Sequence, residues 1–169
     1  MTDNVIKLNK DNILRLRIET NEGKDTGEVL EFDLEDIELP LRYQELVERD
    51  KKNKEYLKNQ MIIIEKRQDV KGKKILSKNE EDKIKAINDF FYKEVEVYNM
   101  FLGKNGVQKL LNGRKLGWTT LQEIDDIIEN QITPYIDTSV QNITKKVKEK
   151  YEKATNKNKD QIEVVEWVV

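Results

Sequence analysis

The chain has 169 residues, of which 38% are charged and 37% apolar, with a net charge of −2. That length suits one domain whose core is built from amphipathic elements, and the balanced charge lacks the basic excess that bulk phosphate binding needs. There is no Cys and no His, which excludes disulfides, thiolate metal sites and thiol catalysis and removes the side chain best suited to proton transfer near neutral pH.

The first residues, "MTDNVIKLNKDN", are polar and are read as ordinary chain rather than a secretory leader. No apolar run reaches the ~20 residues needed to span a membrane. A cytoplasmic protein is the expectation.

Residues 1–39 read as β. In "ILRLRIET", Leu14, Leu16 and Ile18 alternate with Arg15, Arg17 and Glu19; in "VLEFDL", Leu30, Phe32 and Leu34 alternate with Glu31 and Asp33. Period-two alternation is the mark of a half-buried strand. "NEGKDTGE" at 21–28 is the turn-rich link, and antiparallel pairing would set Arg15 and Arg17 against Glu31 and Asp33. "NVIKL" at 4–8 is a candidate third strand. A lone hairpin is marginal in water, so this one must rest on the helices or on another chain.

Pro40 suits a first helical turn. Tyr43, Leu46, Leu57, Met61 and Ile64 then follow at helical spacing around a polar middle, "ERDKKNKE". One helix is the reading, with a break in that middle the alternative, and Gly72 is the expected left-handed cap. "SKNE" offers Ser77 and Glu80 as a capping box. After it, Ile84, Ile87, Phe91, Val95, Tyr98 and Leu102 repeat by threes and fours, widened by Phe90, Val97 and Phe101. This is the expected spine of the core, with Phe91 among its critical residues.

The next helix is expected to start at Thr119 or Thr120, with Glu123 completing a box from Thr120 and with Leu121, Ile124, Ile127, Ile128 and Ile132 buried. Thr133 and Pro134 read as the cap and first residue of a last helix carrying Ile136, Val140, Ile143, Val147 and Tyr151. "KATNKNKDQ" reads as a polar linker, and "IEVVEWVV" as an apolar, β-prone tail containing Ile162, Val164, Val165, Trp167, Val168 and Val169. That tail would pair with the hairpin or add a strand to a partner. The organisation is therefore a β-hairpin lobe at 1–39, a helical domain at 40–153 and a linker plus tail at 154–169. The fold class is α+β and helix-dominated, a small antiparallel hairpin followed by about four main helices.

Four of the seven glycines fall in "FLGKNGVQKLLNGRKLGWTT", residues 101–120, among Lys104, Lys109, Arg114 and Lys115. A phosphate loop would need G-x-x-x-x-G-K-[ST], or G-x-G-x-x-G between a strand and a helix. The spacing fails both patterns, so the stretch reads as a joint between helices. Asp125, Asp126 and Glu129 cluster on one helix and read as a solvated acidic face rather than a cation site. Tyr98 and Tyr151 lie on apolar stripes and read as core, and Trp118 as packing beneath the turn rather than stacking on a nucleic acid.

The segment "FFYKEVEVYNMFLGKNGVQKLLNGRKLGWTTLQEIDDIIENQITPYI" resembles the core of tail assembly chaperones from long-tailed phages and prophages of Gram-positive bacteria. The features that match are a helix ending in Phe101, Leu102 and Gly103, a turn at Gly106, and a short apolar piece with Lys109 and Leu110. A second turn at Gly113, then Trp118, and a helix ending before Pro134 complete them. The likeness covers residues 13–150; the Lys/Asn-rich segment at 49–58 and the tail after 155 have no counterpart. It implies a non-enzymatic, homo-oligomeric assembly factor without cofactors, working in the bacterial host cytoplasm. Its partners would be the tape-measure and tail-tube proteins, with no nucleic acid or membrane. The matched residues and the tail's Ile162, Val164, Val165 and Trp167 are the candidate contact or structural positions. The alternative is a structural virion component, such as a tail or head–tail joining protein.

Overall fold

The computed structural model describes residues 12–72 and 75–166, of which 156–166 by backbone alone. The strand expected at 4–8 lies outside the described residues, as do Trp167, Val168 and Val169. The fold is α+β and helix-dominated, with a two-stranded antiparallel sheet followed by helices.

β1 (Ile13–Glu19) and β2 (Asp25–Asp33) alternate as their sequence requires: Ile18, Leu30 and Phe32 are buried and Arg15, Arg17, Glu31 and Asp33 face out. Leu14 stands opposite Phe32 and Leu16 opposite Leu30. Arg15 stands opposite Glu31 and bonds it at 3.1 Å. The second expected charge pair does not form. Antiparallel strands run in opposite directions, so once Arg15 meets Glu31, Arg17 must meet Val29, and Asp33 meets Ile13. The turn is also tighter than the sequence implied. Thr20 N–H donates to Lys24 O at 2.8 Å around Gly23 at φ +76°, a conformation that favours glycine.

α1 (Leu39–Glu65) is one helix through its polar middle. That middle is rich in Lys and Glu, good helix formers, and holds no Gly or Pro. The helix ends before Gly72, which is a correction: Lys66 caps it in an ordinary helical conformation. The Asn79 side chain makes the early stop possible, donating to the end carbonyls of Ile64 and Arg67, each at 3.1 Å. α2 (Lys78–Leu102) opens with the expected capping box. Glu80 N–H donates to Ser77 Oγ at 3.2 Å and Ser77 N–H to Glu80 Oε2 at 2.7 Å.

α2 runs antiparallel to α1, bringing Glu65 against Lys83, Asn53 against Glu94 and Arg49 against Met100. Its buried stripe is rotated from the expected one. Phe90, Glu94, Val97, Tyr98, Phe101 and Leu102 point inward, Phe91 is half-buried, and Ile84 is 52% exposed. The wide apolar arc of this helix left its centre open, and packing on α1 decided it.

α3 (Gly106–Leu111) is the short helical piece after the first glycine turn, and α4 (Trp118–Ile127) follows the second. Two expected caps are corrected here. Gly117, not Thr119 or Thr120, precedes α4, and Thr120 sits a turn inside, its hydroxyl accepting from Gly117 N–H at 2.8 Å. Thr133 has helical dihedrals rather than those of a cap. A π-helical turn (Ile128–Ile132) joins α4 directly to α5 (Thr133–Glu166). Pro134 lacks an N–H and its ring crowds the carbonyl four residues back; a wide π turn just ahead of it relieves that crowding.

The hairpin rests on the helices. Ile18, Leu30 and Phe32 share one apolar core with Leu39, Leu46 and Leu57 of α1, Phe90, Val97 and Phe101 of α2, and Ile124, Ile132 and Ile136 further on. The polar linker at 153–161 and the β-prone tail are also corrected: the backbone is helical through Glu166. No Gly or Pro follows Pro134, and extending an existing helix is far easier than nucleating a new element. Among the described residues, no helix is long and apolar enough to cross a membrane.

Candidate functional site

The glycine stretch folds as a joint. Phe101 and Leu102 are buried at the end of α2, and Gly103 leaves the helix at φ +93°, ψ 176°, a combination open to glycine but not to ordinary side chains. Gly106 is buried against the same helix, where a Cβ would lie 2.4 Å from Leu102 Cβ. Val107 N–H donates to Asn99 Oδ1 at 2.8 Å, tying α3 back onto α2. Asn105 and Asn112 supply the left-handed residues on either side of α3, and Gly113 follows at φ +83°.

Lys109 reaches across to the hairpin, donating to Val29 O at 3.2 Å with Glu28 at 3.9 Å. Arg114 bonds Glu123 at 3.0 Å and Leu111 O at 3.3 Å. These two cations are held by the protein's own acceptors. Leu110 is half-buried on the core. Trp118 is 54% exposed, but its ring lies 5.4 Å from Phe90 and 4.8 Å from Phe91. Replacing Lys109 by Ala is expected to cost about 1 kcal/mol, the net worth of an ordinary hydrogen bond. Equilibrium denaturation measures it, and an unchanged midpoint would remove the clamp.

α5 divides in two. Its first turns are anchored by buried Ile136, by Ser139 Oγ donating to Leu34 O, and by Lys146 3.8 Å from Glu35. From Thr144 to Thr155 every side chain is exposed, including Val147 and Tyr151, the latter at 75%. The expectation of Tyr151 as core is thus overturned: the apolar stripe Ile136, Val140, Ile143, Val147, Tyr151 continues past the point where the body of the protein ends. Five Lys against two Glu between 145 and 153 make this half basic. Ile162, Val164 and Val165 lie on its last turns, and Trp167 is outside the described residues.

A buried polar cluster lies where α1, α2 and α4 meet. Its centre, Glu94, is fully buried on the apolar stripe of α2. Asn53 of α1 donates to Glu94 Oε1 at 2.7 Å. Lys54 of α1 pairs with Asp50 Oδ2 at 2.8 Å. Tyr98 donates its hydroxyl to Asp125 of α4. Burial, and then the neighbouring Asp50, push the Glu94 carboxyl up to about 8. Burial likewise raises Asp125 and, with the adjoining Asp125 carboxylate, Tyr98. Burial works against the Lys54 charge, but Asp50 outweighs it and the ammonium is held above its usual range.

Asp125 is therefore not part of a solvated face. It lines a cleft of about 370 Å³ with Tyr43, Asp50, Tyr98 and Glu129. Among the described residues, no group of three or more acidic side chains is placed to hold a metal ion. The sequence reading missed Glu94, although the signal was there: it sits between Phe90 and Val97 on an otherwise apolar face.

No protein-family model matches the chain, and no curated protein or solved structure matches it significantly.

Proposed function

We propose that this chain is a non-enzymatic tail assembly chaperone of a long-tailed phage or prophage, acting in the bacterial host cytoplasm by contact with the tape-measure protein and assisting tail-tube assembly. The observation that supports the reading is the outer half of α5. It is a basic helix whose apolar stripe carries on through Val147 and Tyr151 with nothing described packed on it. The stretch of α5 at 144–166, some 23 residues, extends about 35 Å at 1.5 Å per residue. Isolated helices are marginal in water, and an amphipathic one gains stability by laying its apolar face on another helix. A long helical protein is the kind of partner this face fits, and the glycine joint serves to hold the scaffold from which α5 projects.

The test is co-expression with a tape-measure protein of a long-tailed phage, followed by affinity purification and light scattering. A soluble complex with several copies of this chain per partner is expected. The double change Val147→Lys and Tyr151→Lys should leave the unfolding midpoint within about 0.5 kcal/mol of the parent, as exposed substitutions do, while lowering co-purification at least tenfold. An insoluble partner with this chain eluting alone would sink the proposal. Recovery of the chain from finished particles would favour the structural virion component instead.

A further inference from the structure

The Asp50–Glu94 contact contains two oxygens that no donor reaches. Glu94 Oε1 takes the Asn53 amide and Asp50 Oδ2 takes the Lys54 ammonium. Their other oxygens, Glu94 Oε2 and Asp50 Oδ1, are buried without a hydrogen-bond partner. Two carboxylates side by side repel, and each orphaned buried acceptor costs free energy. One proton removes both problems, since a protonated carboxyl becomes a donor.

We propose that Glu94 is held in the folded protein as the neutral acid and donates from Oε2 to Asp50 Oδ1, making the α1–α2 crossing a pH-sensitive latch that loosens as Glu94 ionises. The groups around it are consistent with that state. On α1, Lys54 is committed to Asp50, and Asn53 presents an amide that either form of Glu94 accepts. On α2, Tyr98 directs its hydroxyl away, to Asp125. On α4, Asp125 is the acceptor of that hydroxyl. Asp50 is thus the acid beside Glu94 and disfavours its ionised form, while the Lys54 charge opposes this from its pairing with Asp50.

The direction with pH follows from proton counting. Between the ordinary carboxyl range and the raised value in the fold, the folded chain holds a proton that the unfolded chain has released. Stability is then fully present below the unfolded pKa and falls as pH rises, until Glu94 ionises in the fold as well. Carboxylates held low, such as Asp36 by Arg42, act in the opposite sense and only in acid. With no His and no Cys in the chain, few other side chains change charge between pH 5.5 and 7.5, so the signal is readable.

The experiment is denaturant unfolding of the full chain from pH 5.5 to 9, beside Glu94→Gln. Wild type is expected to show an unfolding constant that rises about tenfold per pH unit over the lower part of this range. The Gln variant keeps the geometry, with its NH2 donating to Asp50 and its oxygen accepting from Asn53. It should lose most of that slope and be more stable than wild type at pH 8. Should Glu94→Gln fail to fold, infrared spectroscopy of wild type still decides. A protonated-carboxyl carbonyl band persisting at pH 6.5 and disappearing in alkali is expected. Equal slopes in both proteins, or no such band at pH 6.5, would overturn the latch.

Discussion

Phe101→Ala is expected to lower stability by about 3–5 kcal/mol, the usual cost of emptying a large aromatic site in a core. For a chain of this size that lowers the thermal midpoint by roughly 10 °C or more. The residue is 3% exposed, and its ring lies 5.6 Å from Phe32 of β2 and 5.8 Å from Tyr43 of α1. It is the point at which hairpin, α1 and α2 meet. Because a two-stranded sheet has little stability of its own, its loss should be felt first in the hairpin. Hydrogen exchange of β1 and β2 amides should therefore accelerate more than that of α1. Phe101→Leu, which refills most of the space, should recover much of the loss. Phe91→Ala makes the instructive contrast. Phe91 is half-buried against Trp118, and its removal should cost clearly less. A Phe101→Ala midpoint within 2 °C of wild type would mean that this junction is not where the hairpin is held.

The contrast between Phe91 and Phe101 shows what periodicity can and cannot supply. Apolar spacing placed α1, α2, α4 and the first half of α5, and the alternation of both strands, because those patterns follow from backbone geometry alone. It did not fix the rotation of α2, since Phe90, Phe91, Val95, Val97, Tyr98 and Phe101 span an arc wider than one contact face. The missed boundaries share another cause. Gly72, Thr120 and Thr133 are all chemically able to cap, yet Asn79, Gly117 and the π turn at Ile128–Ile132 settled the ends. Each of those depends on a neighbour in space or on a neighbouring turn, which local preference does not contain. The tail was misread for a related reason. Its β-branched residues favour a strand in isolation, but they follow a long run of helix formers with no breaker between.

The candidate sites divide in the same way. The glycine stretch was legible as a joint because glycines and asparagines announce left-handed backbone. The Lys109 contact with Val29 O was not legible, since eighty residues separate its ends. The Asp50–Glu94 contact shows an intermediate case. A Glu between Phe90 and Val97 marks an anomaly on one helix, while Asp50 and Asn53 sit in a segment that reads as solvated. Only the antiparallel pairing of α1 with α2 brings the two halves together.

Gly106→Ala should destabilise the protein by about 1–3 kcal/mol, the range for forcing extra atoms into a packed site. The methyl would sit 2.4 Å from Leu102 Cβ, an atom fixed by its own backbone rather than the end of a flexible side chain. The clash can be relieved only by moving α3 away from the end of α2. That movement strains three things at once: the bond from Val107 N–H to Asn99, the buried Val107 and Leu111, and the reach of Lys109 to the hairpin. Coupling through Lys109 gives a specific expectation. Lys109→Ala should cost less in a Gly106→Ala background than in wild type, because α3 has already withdrawn, and a double-mutant cycle measures that difference. Gly72→Ala is the control. Nothing lies within 4 Å of a Cβ there and its φ is not positive, so that change should be neutral or slightly stabilising through the unfolded chain. If Gly106→Ala were as harmless as Gly72→Ala, the close approach of α3 to α2 would not be a constraint on this fold, and the glycine at 106 would owe its place to something other than packing.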